Sequence, residues 1–159
     1  MKTQTELLAT FGYLGKAPVA PGTFGTLGAL PLAFAFMQLG PIGYMAATVL
    51  FAGFSIWVAQ AYEAESDSHD ASEVVIDEVA GGLIAFTWLT TWQAFLAAFV
   101  IFRLLDALKT PPIGWADKKI DGGLGVVADD LIAGVITSII MQILLVETTH
   151  FGVPINPFQ

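Results

Sequence analysis

Three long stretches without charge dominate the pattern of the chain. Residues 17–62, 79–102 and 131–146 contain no Asp, Glu, Lys or Arg. Except for Glu147, every charged residue falls into the three segments outside these stretches or at their edges. Because a helix needs only about 20 apolar residues to cross a bilayer, most of the chain is suited to lipid. The pattern therefore predicts membrane helices joined by short charged segments.

Breaks inside the uncharged stretches define the individual helices. Residues 27–39 predict a short first helix, which ends at the Gly-Pro-Ile-Gly turn signal of residues 40–43. Residues 44–62 form a continuous apolar run without proline, with aromatic side chains near one end, and are the clearest transmembrane segment. Residues 131–146 predict the last crossing.

The middle of the chain allows either one long helix or a hairpin. Lys and Arg favour the cytoplasmic side of a membrane, and here they precede the first helix or lie within residues 103–119. A single crossing would put those two groups on opposite sides. We therefore predict a hairpin with arms 74–89 and 92–108 that turns at residues 90–92, each arm about 25 Å long.

The composition supports the same fold class. Hydrophobic residues make up 55% of the 159 and charged residues only 13%, with a mean hydropathy of +0.72. A typical globular chain has about 25% charged residues. We predict a single all-α domain over residues 1–159: a compact membrane-embedded bundle of about five hydrophobic helices. It is expected to be a multi-pass protein of the inner (cytoplasmic) membrane, with its motif loops facing the cytoplasm. A soluble bundle with an unusually apolar core is the alternative.

Several classes of chemistry are excluded by what the chain lacks. Without cysteine it has no disulfide, no thiolate zinc site and no cysteine nucleophile, and two histidines are too few for a histidine-rich site. The net charge of −8 argues against nucleic acid as a partner, since phosphate backbones attract clustered Lys and Arg. The membrane is an expected partner, and a homo-oligomer is left open.

The first motif leads into the first helix. Lys16 begins a segment in which Gly22 allows close backbone contact, while Thr23 and Thr26 can cap a helix whose free N–H groups attract anions. This pattern predicts a phosphate-binding entry. A proline- and glycine-rich start of a membrane helix explains it equally well.

The second motif places acids directly before an apolar stretch. Glu73 and Asp77 are four residues apart and would share one helix face, with Glu78 beside them. A solvated loop explains the acids of residues 63–70. It does not explain Asp77 and Glu78, because ionisable groups at the membrane edge are costly without partners or a metal.

The third motif is a polar stripe on the second arm of the hairpin. Arg103, Asp106 and Lys109 recur every three residues. The stripe predicts a phosphate clamp beside a metal ligand, with an intrahelical ion-pair ladder as the alternative.

The fourth motif combines acids with glycines. Asp121 precedes a glycine-rich loop, and Asp129 and Asp130 follow at the expected N-terminal end of the last helix, where the helix dipole favours anions. Capping by one aspartate would explain only part of this pattern.

Many carboxylates, few cations and no thiolates match Mg²⁺ rather than Zn²⁺. The predicted metal ligands are drawn from the acids of the last three motifs: Glu73, Asp77, Glu78, Asp106, Asp121, Asp129 and Asp130. Among them, Asp77, Glu78, Asp129 and Asp130 are the expected catalytic residues. Arg103, Lys109, Lys16, Gly22, Thr23 and Thr26 are expected to bind the substrate phosphate.

Four ordered motifs give the chain a resemblance to the phosphatidylglycerophosphatase A family. They are Ala-Pro-Gly-Thr-Phe-Gly-Thr at 20–26, Val-Ile-Asp-Glu-Val-Ala-Gly at 75–81, Phe-Arg-Leu-Leu-Asp at 102–106 and Gly-Gly-Leu-Gly-Val-Val-Ala-Asp-Asp at 122–130. The resemblance implies an all-helical, Mg²⁺-dependent membrane phosphatase that converts phosphatidylglycerophosphate to phosphatidylglycerol and inorganic phosphate.

Other classes of protein fit the sequence less well. A small cation transporter would place acids near the middle of its helices. A Mg²⁺-dependent alcohol phosphatidyltransferase would need an Asp-Gly-x₂-Ala-Arg signature, and Asp121-Gly-Gly-Leu-Gly does not supply it. A scaffold has no need for so many acids at helix ends. For the expected hydrolysis, attack by water and attack by an aspartate are both left open.

Overall fold

A computed structural model describes residues 2–66, 71–108, 113 and 122–150. This part of the chain contains helices and no strand, which confirms the all-α prediction. The described residues form six α-helices, one more than the five apolar segments of the sequence, and a short 3₁₀ turn follows the first. They are α1 Lys2–Ala9, the 3₁₀ turn Leu14–Lys16, α2 Pro21–Met37, α3 Gly40–Ser66, α4 Ile76–Ala85, α5 Trp92–Leu108 and α6 Gly123–His150.

Helices α2 and α3 are longer than the apolar pattern predicts. Helix α2 begins at Pro21, because proline suits the first turn of a helix, where no N–H donor is needed. For the same reason Pro41 is accepted in the first turn of α3, which begins at Gly40. The turn lies just before this helix, at Gln38 and Leu39. The predicted break at residues 40–43 is therefore wrong in position.

The predicted hairpin is present, but its first arm is short. Helix α4 has 10 residues, about 15 Å at 1.5 Å per residue, so it is too short to cross a bilayer. Helix α5 begins at Trp92 as expected, and the Thr91 hydroxyl caps it by accepting the Ala94 N–H at 3.2 Å. Because α4 begins only at Ile76, Glu73 lies before the helix and does not share a helix face with Asp77.

The start of α6 also differs from the prediction. The glycine-rich segment is helical from Gly123 onward, so Asp129 and Asp130 lie about two turns inside α6 instead of at its N-terminal end. The Gln60 side chain of α3 accepts the Gly123 N–H at 2.8 Å and so satisfies one free donor of the first turn. Neither aspartate is an N-cap.

Glycines bring α4 against α6. A β-carbon on Gly134 would lie 2.4 Å from the carbonyl oxygen of Gly81, and one on Gly81 would lie 2.6 Å from that of Asp130. Real β-carbons do not approach so closely, and the two helix backbones can touch only because both side chains are absent. This crossing sets the start of α4 beside the second turn of α6. Around it the buried core includes Leu83, Phe86 and Phe102.

Two helices of the described chain are long and apolar enough to cross a membrane. They are Gly40–Ser66 and the Gly123–Leu145 part of α6. Length and composition alone define them, and a core helix of a soluble protein can pass the same test. In α3, however, only 33% of the 18-residue stretch with the highest hydropathy is buried inside the protein. Most of that stretch therefore faces outward, which suggests association with lipid.

Candidate active site

Three carboxylates, two of them buried and that of Glu78 half-buried, meet where α4 crosses α6. Asp77 and Glu78 stand in the first turn of α4, and Asp130 stands in α6. One oxygen from each lies within 4.8 Å of the other two. The Asp77 and Asp130 residues are only 7% and 3% exposed. In the described part of the chain, this is the one group of acids close enough together to hold a metal ion.

Arg103 faces this carboxylate cluster from α5. Its Nη1 atom lies 3.8 Å from Oε1 of Glu78 and donates a 2.6 Å hydrogen bond to Oδ2 of Asp106. The end of α5 thus lies beside the start of α4, as the hairpin prediction requires. The guanidinium is held between one acid of the cluster and one acid of its own helix.

The entry into α2 closes another side of the site. A β-carbon on Gly22 would lie 2.1 Å from Oε1 of Glu78 and 2.9 Å from Nη2 of Arg103, so the glycine permits this approach. Ala20, directly before the helix, has a left-handed backbone with φ of 50°, and the Thr23 N–H donates to its carbonyl oxygen at 2.9 Å. Thr26 is fully buried, and its hydroxyl donates to the Gly22 carbonyl within α2.

Two of the predicted site residues have other partners. Glu73 accepts a hydrogen bond from the Tyr62 hydroxyl of α3, and it does not belong to the carboxylate cluster. Lys16 forms an ion pair with Glu6 of α1, and this hydrogen bond raises the pKa of the exposed Lys16 ammonium. The structure therefore does not bring either residue into the cluster.

Asp129 is buried beside the carboxylate cluster without being part of it. Its Oδ1 accepts the N–H of Asp130 at 3.0 Å, and the residue is 6% exposed. The remaining two predicted residues, Lys109 and Asp121, lie outside the described residues.

The electrostatics of the cluster favour a bound cation. Burial raises the pKa of the Asp77 carboxyl well above its usual range, and the neighbouring Glu78 carboxylate raises it further. Burial also raises the pKa of Glu78, although the hydrogen bond with Asp77 and the charge of Arg103 act in the opposite direction. Helix α4 lies outside both candidate spans. A cation placed among these groups would stabilise their ionised forms.

Two oxygens of the cluster fit a metal ion. Oε2 of Glu78 and Oδ1 of Asp130 are buried and have no hydrogen-bond partner among the described residues. Buried polar atoms are rarely left in this state, because each loses its hydration without compensation. A donor set made only of carboxylate oxygens suits a hard divalent cation such as Mg²⁺. The residues present therefore fit the metal that the family resemblance implies.

The sequence did not point to two polar residues that shape this region. Gln60 anchors the start of α6, and Tyr62 holds Glu73. Both lie in α3 just before its acidic end, which begins at Glu63, and neither belongs to a motif. Only their position next to a charged segment distinguishes them in the sequence.

Comparison with known proteins agrees with the motifs. The family model described as Phosphatidylglycerophosphatase A matches residues 7–145. A phosphatidylglycerophosphatase A of Escherichia coli K12 is 37% identical over 142 residues, covering 87% of this chain and 81% of the relative. The protein of that name from Haemophilus influenzae is 33% identical over 139 residues, covering 86% and 85%.

A third relative has a different name. A putative phosphatidylinositol-3-phosphatase of Bacteroides thetaiotaomicron is 35% identical over 139 residues, covering 81% of this chain and 86% of the relative. No solved structure matches the chain significantly. The match to the family model over most of the chain, together with these identities, confirms the resemblance carried by the four motifs: the chain belongs to the phosphatidylglycerophosphatase A family.

Proposed function

We propose that this protein hydrolyses the terminal phosphomonoester of phosphatidylglycerophosphate, giving phosphatidylglycerol and inorganic phosphate, with the help of Mg²⁺. Membership of the family and the names of two relatives support the substrate. The observation that carries the chemistry is the cluster of Asp77, Glu78 and Asp130, with three carboxylate oxygens within 4.8 Å beside Arg103.

In this proposal the three acids of the cluster hold the metal. Bound Mg²⁺ would neutralise charge on the phosphate oxygens and lower the pKa of a water molecule. The two buried oxygens of Glu78 and Asp130 that lack partners among the described residues support this role.

The side chains around the cluster have different roles in the reaction of the phosphate. Arg103 binds non-bridging oxygens, for which its planar guanidinium is well suited. Asp129 orients the attacking water and accepts its proton. A bond forms from the water oxygen to phosphorus as the bond from phosphorus to the glycerol oxygen breaks, and that oxygen then takes up the proton. An aspartyl-phosphate route, with a carboxylate in place of water, is the alternative.

We further propose that the protein is a multi-pass protein of the inner membrane with this site at the cytoplasmic face. The outward side of α3 supports the membrane assignment, because large apolar side chains such as Ile42 and Leu50 are 85% and 75% exposed. The positions of Lys and Arg in the sequence support the orientation. Lys109 and Asp121 are proposed as a further phosphate-binding residue and metal ligand from their motifs.

A second candidate substrate is a phosphoinositide. The name of the Bacteroides relative favours it, since its 35% identity to this chain lies between the identities of the other two relatives. Both substrates present a phosphomonoester on a lipid headgroup, and the proposed metal and arginine would act on either.

The test is phosphate release by the purified protein in detergent micelles, with and without Mg²⁺. The substrates are phosphatidylglycerophosphate, phosphatidylinositol 3-phosphate, phosphatidic acid and lysophosphatidic acid. We expect Mg²⁺-dependent release that is fastest with phosphatidylglycerophosphate. Asp77→Asn and Asp129→Asn should abolish release while remaining folded. Wild-type turnover by both variants would end the assignment of the site, and preference for another lipid would end the assignment of the substrate.

A further inference from the structure

Of the two acids paired with Arg103, Asp106 makes the closer contact. It lies three residues after Arg103 on α5, and its Oδ2 accepts the 2.6 Å hydrogen bond from Nη1. Its side chain is 14% exposed, so water competes only weakly for that bond. The three acids of the carboxylate cluster lie instead on α4 and α6.

The position of Asp106 argues against metal binding. Within the described chain, the acids whose oxygens converge closely enough for a metal ion do not include it. One of its oxygens already accepts the 2.6 Å hydrogen bond from the guanidinium, which makes that oxygen less available to a metal ion.

Arg103 is restrained by three neighbours. Asp106 binds Nη1, Glu78 lies 3.8 Å from that same atom, and the bare backbone of Gly22 lies against both terminal nitrogens. A guanidinium has five N–H donors, so the single hydrogen bond to Asp106 leaves capacity for a phosphate. Without Asp106, the long side chain would lose its one close hydrogen bond within α5 and could fold onto the acids of the cluster.

We propose that Asp106 is a positioning residue, which holds the Arg103 guanidinium toward the substrate phosphate and does not bind the metal. This inference rests on the proposed function for the role of Arg103. It separates Asp106 from the acids that the sequence grouped with it as metal ligands. Its main effect on the reaction passes through Arg103.

The first experiment is a double-mutant cycle on phosphate release. Asp106→Asn should lower kcat/KM by about 10- to 100-fold, the range expected for a hydrogen bond to a charged group. In an Arg103→Gln background the same change should have almost no further effect, because the group it positions is gone. Asp106→Glu, which keeps the carboxylate, should recover part of the activity. Additive losses in the double variant would overturn the proposal.

The second experiment separates positioning from metal binding without using turnover. Thermal unfolding in detergent is followed while Mg²⁺ is added, and then while inorganic phosphate is added in the presence of Mg²⁺. Asp106→Asn should keep the wild-type stabilisation by Mg²⁺, which the control Asp130→Asn should lose. It should lose the stabilisation by phosphate, as Arg103→Gln should. Loss of the Mg²⁺ effect in Asp106→Asn would overturn the proposal.

These readouts distinguish the two ways of failing. If the wild-type protein released no phosphate from any of the four lipids, the proposed function would fail. The titrations with Mg²⁺ and inorganic phosphate would still decide the role of Asp106. If the wild-type protein is active and Asp106→Asn has wild-type activity and phosphate binding, only the positioning role is wrong.

Discussion

Gly22 of α2 lies so close to Glu78 of α4 that an added β-carbon would stand 2.1 Å from the Oε1 atom. The neighbouring Nη2 of Arg103 would be only 2.9 Å away. Both atoms are the ends of flexible side chains, which can move aside without shifting the backbone. The glycine thus allows the two charged groups to occupy their places at the site.

Gly22→Ala should therefore impair activity more than stability. Displacing reacting groups by about 1 Å can cost on the order of 100-fold in rate, and we expect a loss of phosphate release of that size. The unfolding temperature should change little. Gly53→Ala is the matched control, because a β-carbon at Gly53 meets nothing within 4 Å. Activity of Gly22→Ala equal to that of the control would contradict the proposed arrangement.

Gly134→Ala should have the opposite balance, with a large effect on stability. The added carbon would lie 2.4 Å from the Gly81 carbonyl, which is backbone and cannot rotate away. Helices α4 and α6 would have to separate, at a cost of about 1–3 kcal/mol in the free energy of unfolding. Denaturation in detergent measures this loss, again against Gly53→Ala. An unchanged unfolding midpoint would show that the two helices do not cross there.

Removal of Mg²⁺ should abolish phosphate release. A chelator is expected to stop the reaction and added Mg²⁺ to restore it. Glu78→Gln should raise the Mg²⁺ concentration needed for half-maximal activity by about tenfold or more. Even the loss of a group that only hydrogen-bonds to a metal ligand typically weakens metal binding by about that factor. Mg²⁺ titrations of both proteins test this. Full activity in chelator would refute the metal site.

Gln60→Ala should destabilise the start of α6. The side-chain carbonyl accepts the Gly123 N–H at 2.8 Å, and a hydrogen bond of this kind contributes about 1 kcal/mol. Gln60→Glu keeps an acceptor beside a helix N-terminus and should retain most of the stability. Thermal unfolding of the two variants provides the comparison. Equal unfolding temperatures for Gln60→Ala and the wild type would remove Gln60 from this role.

Lys16→Gln should reduce activity far less than Arg103→Gln. Lys16 is paired with Glu6 on the surface, whereas Arg103 lies within reach of Glu78 in the site. Surface ion pairs of this type contribute little to stability. The kcat/KM values for phosphate release decide between them. Comparable losses would restore Lys16 to the phosphate-binding role that its motif predicts.

The sequence alone predicted the helical class, the break between α4 and α5, and the segments that contribute to the candidate site. Hydrophobic runs and charge are local properties, so they can be seen without knowing which helices are neighbours. Helix ends were less accurate. The glycines and prolines of residues 40–43 and 122–125 predict breaks, whereas the structure includes most of them in the first turns of α3 and α6.

The four motifs also identified the family, which the comparisons confirmed. They contain the many carboxylates that suit Mg²⁺. Only the tertiary structure decided which acids meet. Asp130 joins Asp77 and Glu78 because Gly81 and Gly134 let two helix backbones touch, while Glu73 turns to Tyr62 and Asp106 to Arg103. Such contacts depend on how helices that are distant in sequence pack against each other. The spacing of residues within one segment does not predict them.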